Sequence, residues 1–403
     1  MFSWFIETMI LSCENFLRNQ STLEELKTRK FDVAIAEPFS VCGLALFEEL
    51  GIKKTILVSS CTHIDLILPY IGEPEEFSWV PSLSSQLVQE NKASFHKLFE
   101  AEKRACQKAF GTKIPDWKEL MASASLFFTN TIPFIDYPRA TIQKTIPVGG
   151  ITVDLEKIRG EKLTEEWEEV LGRREKTMMI SFGSIMRSAG MPEDWKSGIL
   201  ATIKSMPNVT FIWKYESEDL DFAQSAENIH FSMWVPQTAL LADPRLSGFL
   251  THGGLGSTNE LAHLGKPAIM VPIFGDQTRN ANMLARHGSV IVLHKKDLTD
   301  EEKVGSAIRS ILYEDKYMKN AVRVAEMLKN QPTNPKDTVV KYTEFVARFG
   351  PFPQMDPYAR KLNYLQKNFL DIYFTLTVLV LISALSLFLI LKCTCNFKKI
   401  KTD

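Results

Sequence analysis

The sequence predicts an α/β protein with two Rossmann-like, doubly wound domains, the N-terminal one incomplete, and one C-terminal transmembrane helix. Short apolar runs alternate with helical segments on both sides of a charged stretch, and this rhythm is typical of parallel sheets covered by helices on both faces. A run without any charge extends from Ile372 to Leu391. It is long enough to cross a hydrocarbon core of about 30 Å as a helix, whereas a buried helix of a soluble core would normally be shorter.

These features divide the chain into six segments. The predicted boundaries are a first Rossmann-like domain over 1–150, a linker over 151–176, a second Rossmann-like domain over 177–345, a return segment with a juxtamembrane helix over 346–371, the transmembrane helix over 372–391 and a lysine-rich cytoplasmic tail over 392–403. Strands are predicted at 31–37, 55–60, 125–131, 177–184 and 209–215. The linker is predicted because its residues are predominantly charged.

Composition excludes several classes of partner. The chain is 45% apolar and 24% charged, which is an ordinary globular balance. With 47 basic against 48 acidic side chains, the net charge of −1 provides no field that would attract a nucleic acid. The six cysteines show no CxxC spacing. We therefore expect neither a zinc site nor a disulfide framework, and no metal at all.

Two glycine-containing turns follow predicted strands and are candidate phosphate sites. One carries Gly183 and Ser184, and the other carries His252, Gly254 and Ser257. At the carboxyl end of a parallel strand, a helix N-terminus presents backbone N–H groups to an anion, and glycine allows close approach. A turn without a ligand would also explain the glycines.

The residues around the second turn favour a nucleotide-sugar ligand. Trp234 and Gln237 precede the turn, and Glu260, Asp276 and Gln277 follow it. They offer an aromatic surface for a base and polar groups for ribose and sugar hydroxyls. Each also has an ordinary alternative, with Trp234 in a core, Glu260 exposed on a helix and Asp276 as a helix N-cap.

The ordered motifs WxPQ, HGG, a later glutamate and DQ, between Trp234 and Asn282, resemble the signature of UDP-dependent glycosyltransferases. The SFGS turn, the strand in FDVAIAEPFSVCG and the apolar C-terminal run resemble UDP-glucuronosyltransferases, with nematode-like members the most similar. The resemblance implies a GT-B arrangement, with an acceptor-binding first domain and a UDP-sugar-binding second domain. A soluble Rossmann oxidoreductase is disfavoured because no GxGxxG follows the first strand.

The resemblance also implies an activity and a role for each site residue. The activity is inverting, metal-independent transfer of glucuronate or glucose from UDP-glucuronate or UDP-glucose to a small lipophilic acceptor, without a cofactor. The implied roles are uracil stacking on Trp234, ribose hydrogen bonds to Gln237 and Glu260, diphosphate contacts from Ser184, His252, Gly254 and Ser257, and sugar contacts from Asp276 and Gln277. Gly256 stands where many members of the family have asparagine.

The catalytic residues implied by the family are only partly matched. Members use a histidine base, on a loop that would precede this chain, and an aspartate that orients it, so the chain is expected to be truncated at its N-terminus. Glu37 stands at the position of the aspartate and is the candidate catalytic residue, although a strand-end carboxylate without a task is the alternative. Two functions remain open: a transferase, or a truncated isoform that binds UDP-sugar and regulates full-length partners in a homo- or hetero-oligomer.

The C-terminus indicates a location. The apolar run is expected to contact the lipid bilayer, and the final KIKTD resembles a dilysine retrieval signal of the endoplasmic reticulum. We therefore expect a single-pass membrane protein of the endoplasmic reticulum, with its body in the lumen if a signal peptide lies upstream. A tail-anchored protein with a cytosolic body is the alternative.

Overall fold

The computed structural model describes the backbone of residues 2–63, 65, 67–74, 85–111, 114–223 and 226–400. Within these residues the chain forms two all-parallel sheets, one of four strands and one of six. Both sheets are covered by helices, and an apolar helix follows at the C-terminus. The predicted fold class is confirmed in these features.

The first sheet has the strand order β1-β2-β3-β4. Its strands are β1 Ala34–Ala36, β2 Thr55–Ser59, β3 Leu126–Thr129 and β4 Thr145–Pro147, and its helices are α1 Phe2–Arg18, α2 Gln20–Thr28, α3 Cys42–Glu49, α4 Leu68–Ile71, α5 Ser85–Phe110 and α6 Trp117–Ala122. Leu57 and Phe127 of the central strands are buried against Leu98, Phe99 and Trp117. The sequence places His96 in a polar helical stretch, and the structure extends that stretch to the long helix α5.

The second sheet has the order β10-β9-β8-β5-β6-β7. Its strands are β5 Lys176–Ser181, β6 Val209–Lys214, β7 Ile229–Ser232, β8 Leu246–Thr251, β9 Ala268–Met270 and β10 Val290–Val292. Met179 on β5 pairs with Ile212 on β6 and Phe249 on β8, and all three side chains are fully buried. The strand order reverses between β5 and β8, which is where such sheets bind ligands.

Helices on both faces of the second sheet include two from the predicted linker. The helices are α7 Leu155–Gly160, α8 Glu165–Gly172, α9 Glu193–Lys204, α10 Gln237–Ala242, α11 Leu255–Leu264, α12 Gln277–Ala285, α13 Glu301–Tyr313 and α14 Asp315–Lys329. Trp167, Val170 and Leu171 of α8 lie in the same apolar cluster as Met179 and Phe249. Residues 151–176 are therefore largely helical, and α8 packs on the second sheet.

The chain returns to the first sheet after α14. The next helix, α15 Pro335–Phe349, buries Val346 against Ile56 and Phe128 of the first sheet. The predicted boundary at residue 345 thus falls inside α15. Arg360 then holds the following segment to α6 through two hydrogen bonds to Glu119, at 2.8 and 2.6 Å.

A disulfide joins Cys13 of α1 to Cys42 at the start of α3. The expectation of no disulfide, drawn from cysteine spacing, is wrong for this pair. The two residues are 29 positions apart in the sequence, and the packing of α1 and α3 against the same helix, α5, brings them together. The thiol of Cys106 on α5 lies 4.0 Å from the sulfur of Cys42.

The C-terminal part ends in α16 Tyr364–Lys367 and α17 Leu370–Ile400. An 18-residue stretch within Leu370–Lys392 has a mean hydropathy of 2.7, and none of that stretch is buried in the structure. The helix is long and apolar enough to cross a membrane. The side chains beyond residue 392 and all of residues 401–403, which include most of the lysine-rich tail, lie outside the described residues.

Candidate functional site

The carboxyl ends of the two sheets lie close together, and the space between them is here called the cleft. Cys61 follows β2 of the first sheet, and burial raises the pKa of its thiol to about 12, with the negative charges of Asp276 and Glu37 adding to the effect. The charges of both carboxylates reach this thiol from opposite sides of the cleft. Asn259 on α11 also donates a hydrogen bond of 3.2 Å to Asn130, which follows β3. Glu37 of the first half of the chain and Asp276 of the second half therefore lie on the two sides of this cleft.

His252 occupies a space that two glycines leave open. A Cβ atom at Gly183 would lie 2.7 Å from Cε1 of His252, and one at Gly254 would lie 2.7 Å from Nε2. Gly183 also has a φ of +92°, which disfavours other residues. Burial and, secondarily, the charge of Lys214 lower the pKa of His252 to about 4. The imidazole is therefore neutral at pH 7 and can donate one hydrogen bond.

Lys214, at the end of β6, is a site residue that the sequence analysis missed. Its Nζ donates a hydrogen bond of 3.0 Å to the carbonyl of Gly183 and lies 5.0 Å from the ring centre of Trp234. Trp234 is 71% exposed, so it is not a core residue and its ring is accessible to a ligand. The sequence feature that could have identified Lys214 is its place at the end of a largely apolar strand.

Gln237, Ser257 and Glu260 form one hydrogen-bonded group. The Gln237 amide donates to Ser257 Oγ at 3.0 Å and to Glu260 Oε2 at 2.5 Å. Burial raises the pKa of Glu260, although the hydrogen bond from Gln237 opposes the rise. Glu260 is therefore not a fully exposed helix residue, and the three groups are held together before any ligand binds.

The start of α12 is tied to the loop before it and to the glycine-rich turn. The Oε1 atom of Gln277 accepts hydrogen bonds from the N–H groups of Ile273 and Phe274, at 2.8 and 3.0 Å. Asn280 donates to Asp276 Oδ2 at 2.8 Å and to the carbonyl of Gly253 at 3.2 Å. The Asp276 side chain makes no capping hydrogen bond to α12. Oδ1 of Asp276 and the amide nitrogen of Gln277 thus make no hydrogen bond among the described residues.

Ser184 and Gly256 border the two turns. Ser184 is exposed in the turn after β5. A Cβ atom at Gly256 would have no neighbour within 4 Å, so the first carbon of the asparagine that the resemblance implies here would meet no obstacle. The first turn of α11 begins beside Gly254 and presents its N-terminal N–H groups at this place.

Glu37 lies on the opposite side of the cleft. Its Oε1 accepts hydrogen bonds from the N–H and the hydroxyl of Ser60, at 2.9 and 2.5 Å. No histidine in the described part of the chain contacts it. His63 is buried with Nδ1 3.2 Å from Thr131 Oγ1, and the His96 ring packs edge-on against Trp117.

Potential metal ligands cluster elsewhere. Among the described residues, the one group of three such side chains is Cys13, Cys42 and Cys106, in the core of the first sheet. Two of these three are already joined by the disulfide. The residues around the cleft offer aromatic, amide, imidazole and carboxylate groups.

Two doubly wound sheets that face each other across a cleft define the class of GT-B glycosyltransferases. Solved structures of that class match most of the chain: the glycotransferase of kitacinnamycin has a TM-score of 0.60 at 15% identity, covering 84% of this chain and 82% of that one. A variant of Os79 from O. sativa in complex with UDP has a TM-score of 0.64 at 15% identity, covering 85% and 84%. These likenesses concern the fold.

The family follows from sequence comparison. The family model described as UDP-glucoronosyl and UDP-glucosyl transferase matches residues 2–402. "Putative UDP-glucuronosyltransferase ugt-56" of Caenorhabditis elegans is 31% identical over 369 residues, covering 85% of this chain and 69% of that relative. "UDP-glucuronosyltransferase 1A8" of Rattus norvegicus is 24% identical over 393 residues, covering 94% and 72%. The chain belongs to this family of glycosyltransferases, which act on UDP-sugars.

Proposed function

We propose that this chain transfers glucuronate or glucose from UDP to a small lipophilic acceptor, with inversion at the anomeric carbon and without a metal or cofactor. The observation that carries the proposal is the arrangement of Trp234, Lys214 and His252 at the switch point of the second sheet. An exposed aromatic ring, a buried cation and a neutral imidazole are side by side there. Such a set fits a base followed by a diphosphate.

Each part of the donor has a matching group. Uracil stacks on Trp234, and the ribose hydroxyls bind the linked pair of Gln237 and Glu260. The diphosphate lies at the N-terminus of α11, where free N–H groups and the helix dipole favour negative charge. The groups proposed to hold it are Ser184, Lys214, His252, Gly254 and Ser257. Asp276 and Gln277 then bind the hydroxyls of the transferred sugar.

The proposed reaction is a single displacement. An acceptor hydroxyl attacks the anomeric carbon from the side facing the first sheet, the bond from that carbon to the diphosphate oxygen breaks, and the acceptor proton leaves to a base. His252, Lys214 and the α11 N-terminus stabilise the charge that develops on UDP. Glu37 is the proposed carboxylate on the acceptor side, and it accepts this proton.

A second candidate function is UDP-sugar binding without turnover. It is favoured by one observation: no histidine in the part of the chain that the structure describes contacts Glu37. Loss of a general base typically costs about 10²- to 10⁴-fold in rate. Such a protein would act by associating with active copies of its family in a homo- or hetero-oligomer.

The proposed setting is a membrane. Helix α17 has the length and apolarity of a single span, and a span would keep the cleft near a bilayer in which lipophilic acceptors concentrate. We place the body in the lumen of the endoplasmic reticulum and the tail in the cytosol.

The test is UDP binding by calorimetry on the full chain in detergent micelles. Trp234→Ala and His252→Ala should each weaken UDP binding by about 10-fold, because base stacking on one ring contributes about 1–3 kcal/mol and a hydrogen bond to a charged group about 1.5–3 kcal/mol. Trp4→Ala is the matched control, since Trp4 is 69% exposed and lies on α1. A folded wild-type protein that binds no UDP would refute both candidate functions.

Turnover separates the two candidates. The wild-type chain is incubated with UDP-glucuronate or UDP-glucose and a panel of lipophilic alcohols and phenols, and released UDP is measured. Release that depends on acceptor supports the transferase. Tight binding of UDP, without acceptor-dependent formation of UDP from the UDP-sugar, supports the binding protein.

A further inference from the structure

The helix that presents Asp276 and Gln277 is fastened to the first half of the chain. Residues 130–137, here called the crossing segment, leave β3 and pass onto the second sheet, where Ile132 and Ile135 are buried in the same cluster as Ala281 of α12. The segment therefore belongs to the first half by sequence and to the second half by packing. It lies directly against α12.

A buried ion pair joins the crossing segment to α12. Arg279 Nη2 donates to Asp136 Oδ1 at 2.6 Å, and the two side chains are only 8% and 2% exposed. Arg279 is two positions after Gln277 on α12. The charge of this guanidinium also reaches His63, where it contributes, after burial and Arg139, to lowering the pKa of that imidazole.

The far end of α12 is held by the same segment. Arg286 donates a hydrogen bond of 3.3 Å to the carbonyl of Asp136, and His287 lies 3.1 Å from the carbonyl of Ile135. The guanidinium of Arg286 also stacks 4.4 Å from the ring centre of Tyr137. Contacts at both ends, in addition to the apolar contact between them, leave α12 little freedom to rotate or tilt.

The ion pair is a costly way to stabilise a fold. Asp136 Oδ2 and Arg279 Nη1 are buried without a hydrogen-bond partner among the described residues, and well-packed apolar residues often replace buried ion pairs at no loss of stability. Unlike an apolar contact, an ion pair with hydrogen-bond geometry favours one orientation of the two elements it joins. Here that orientation determines where the first turn of α12 points.

We infer that Arg279 and Asp136 are positioning residues that orient α12 so that Asp276 and Gln277 face the sugar of the donor, an inference that rests on the proposed function. The groups proposed for uracil and ribose, Trp234 and Gln237, lie outside α12. The pair therefore controls recognition of the sugar separately from recognition of UDP.

The experiment compares UDP with UDP-glucuronate and UDP-glucose by calorimetry on the full chain in micelles. Asp136→Asn keeps the shape and one acceptor oxygen but removes the charge. It should leave UDP affinity within about 2-fold and lower the affinity for the preferred UDP-sugar by about 10-fold, a size typical of substitutions that act on a ligand without touching it. The exchanged pair Asp136→Arg with Arg279→Asp should recover part of that loss.

A matched control is the exposed pair of Arg309 and Glu302, joined at 2.8 Å on α13. Arg309→Gln should change neither affinity. Equal losses of UDP and UDP-sugar in Asp136→Asn would indicate general destabilisation and would overturn the inference, as would no loss of either.

Amide hydrogen exchange of α12 tests the inference without a ligand. Asp136→Asn should raise the exchange rate of the α12 amides while β5 and β8 stay protected. Unchanged exchange in α12 would overturn the inference. Failure of the wild type to bind UDP would refute the proposed function instead, and the two failures are thus distinguishable.

Discussion

Individual glycines shape the donor site through the space they leave. Gly254 has φ −59° and ψ 146°, angles that alanine accepts readily, yet its Cβ would lie 2.7 Å from the His252 ring. The glycine is therefore required by the imidazole and not by the backbone. Adding a single methyl group at this position therefore tests whether His252 needs the space.

We expect Gly254→Ala to displace His252 and weaken UDP binding by about 10-fold, the effect of losing one good hydrogen bond to a charged group. The melting temperature should change little, because the ring can turn towards the cleft. Gly256→Ala is the control, since a Cβ there meets nothing within 4 Å. Equal UDP affinities, measured by calorimetry, would show that His252 does not depend on this gap.

His63 makes stability depend on pH. Burial, followed by the charges of Arg139 and Arg279, lowers its pKa to about 3, whereas a histidine in the unfolded chain titrates near about 6.5. Between these values the unfolded state binds a proton that the folded state does not. The stability contributed by neutral His63 is therefore fully present above about pH 6.5 and is lost as the pH falls towards 3.

We expect His63→Gln to flatten this dependence. The free energy of unfolding, measured by denaturant titration from pH 7 to pH 4, should decrease less steeply in the variant than in the wild type. Two buried carboxyls oppose this effect, Glu102, whose pKa burial raises to about 7, and Glu73, whose Oε2 lies 3.8 Å from His63 Nε2 and whose pKa burial also raises. Both carboxyls are present in the wild type and in the variant. Parallel curves for the two proteins would contradict the assignment.

At the scale of elements, helix α9 packs very closely against a neighbouring turn beside the second sheet. Helix α9 approaches the 3₁₀ turn Lys295–Thr299 so closely that a Cβ on Gly198 would lie 2.2 Å from the carbonyl oxygen of Leu298. The obstacle is backbone, which cannot move without shifting the whole turn. Helix propensity alone would favour alanine at this position by about 1 kcal/mol.

We expect packing to outweigh propensity, so that Gly198→Ala destabilises the protein by about 1–3 kcal/mol. Gly172→Ala, at the end of α8, has no atom within 4 Å of its Cβ and should be neutral or slightly stabilising. Thermal unfolding of the two variants gives the comparison. A Gly198→Ala protein as stable as the wild type would mean that α9 and the turn can separate freely.

At the scale of the whole molecule, the disulfide and the apolar helix make a joint prediction about location. Disulfides persist in oxidising compartments such as the lumen of the endoplasmic reticulum. Six cysteines less the two in the Cys13–Cys42 disulfide leave four thiols. A body in the lumen should therefore show four alkylatable thiols in denatured protein, and six after reduction.

The measurement is mass spectrometry of microsomal protein alkylated during denaturation. The protein should also resist alkaline extraction, and the body should be protected from protease in sealed vesicles. Six thiols before reduction, with a protease-accessible body, would instead support a cytosolic body. Deleting Leu370–Lys392 should release the protein from the membrane in either case.

The motifs and the strands around them were predictable from the sequence. The motifs that begin at Trp234, His252 and Asp276 follow the ends of three successive strands, β7, β8 and β9, and a parallel sheet brings all such ends to one edge. The apolar runs that predict strands also mark the fold class, although β1 pairs only over Ala34–Ala36 of the predicted 31–37. Local chemistry and hydrophobic pattern are sufficient for this much because they act over a few residues.

Tertiary structure alone decides which distant groups meet. Lys214 lies beside Trp234 and Gly183, Cys13 reaches Cys42, and Asp136 pairs with Arg279. No local pattern specifies these pairs, because each depends on how whole helices and strands pack against one another. The sequence by itself thus specifies the residue types of the candidate donor site, because they lie in consecutive motifs. The electrostatics of the site and the orientation of α12 depend on how the two sheets and their helices pack together.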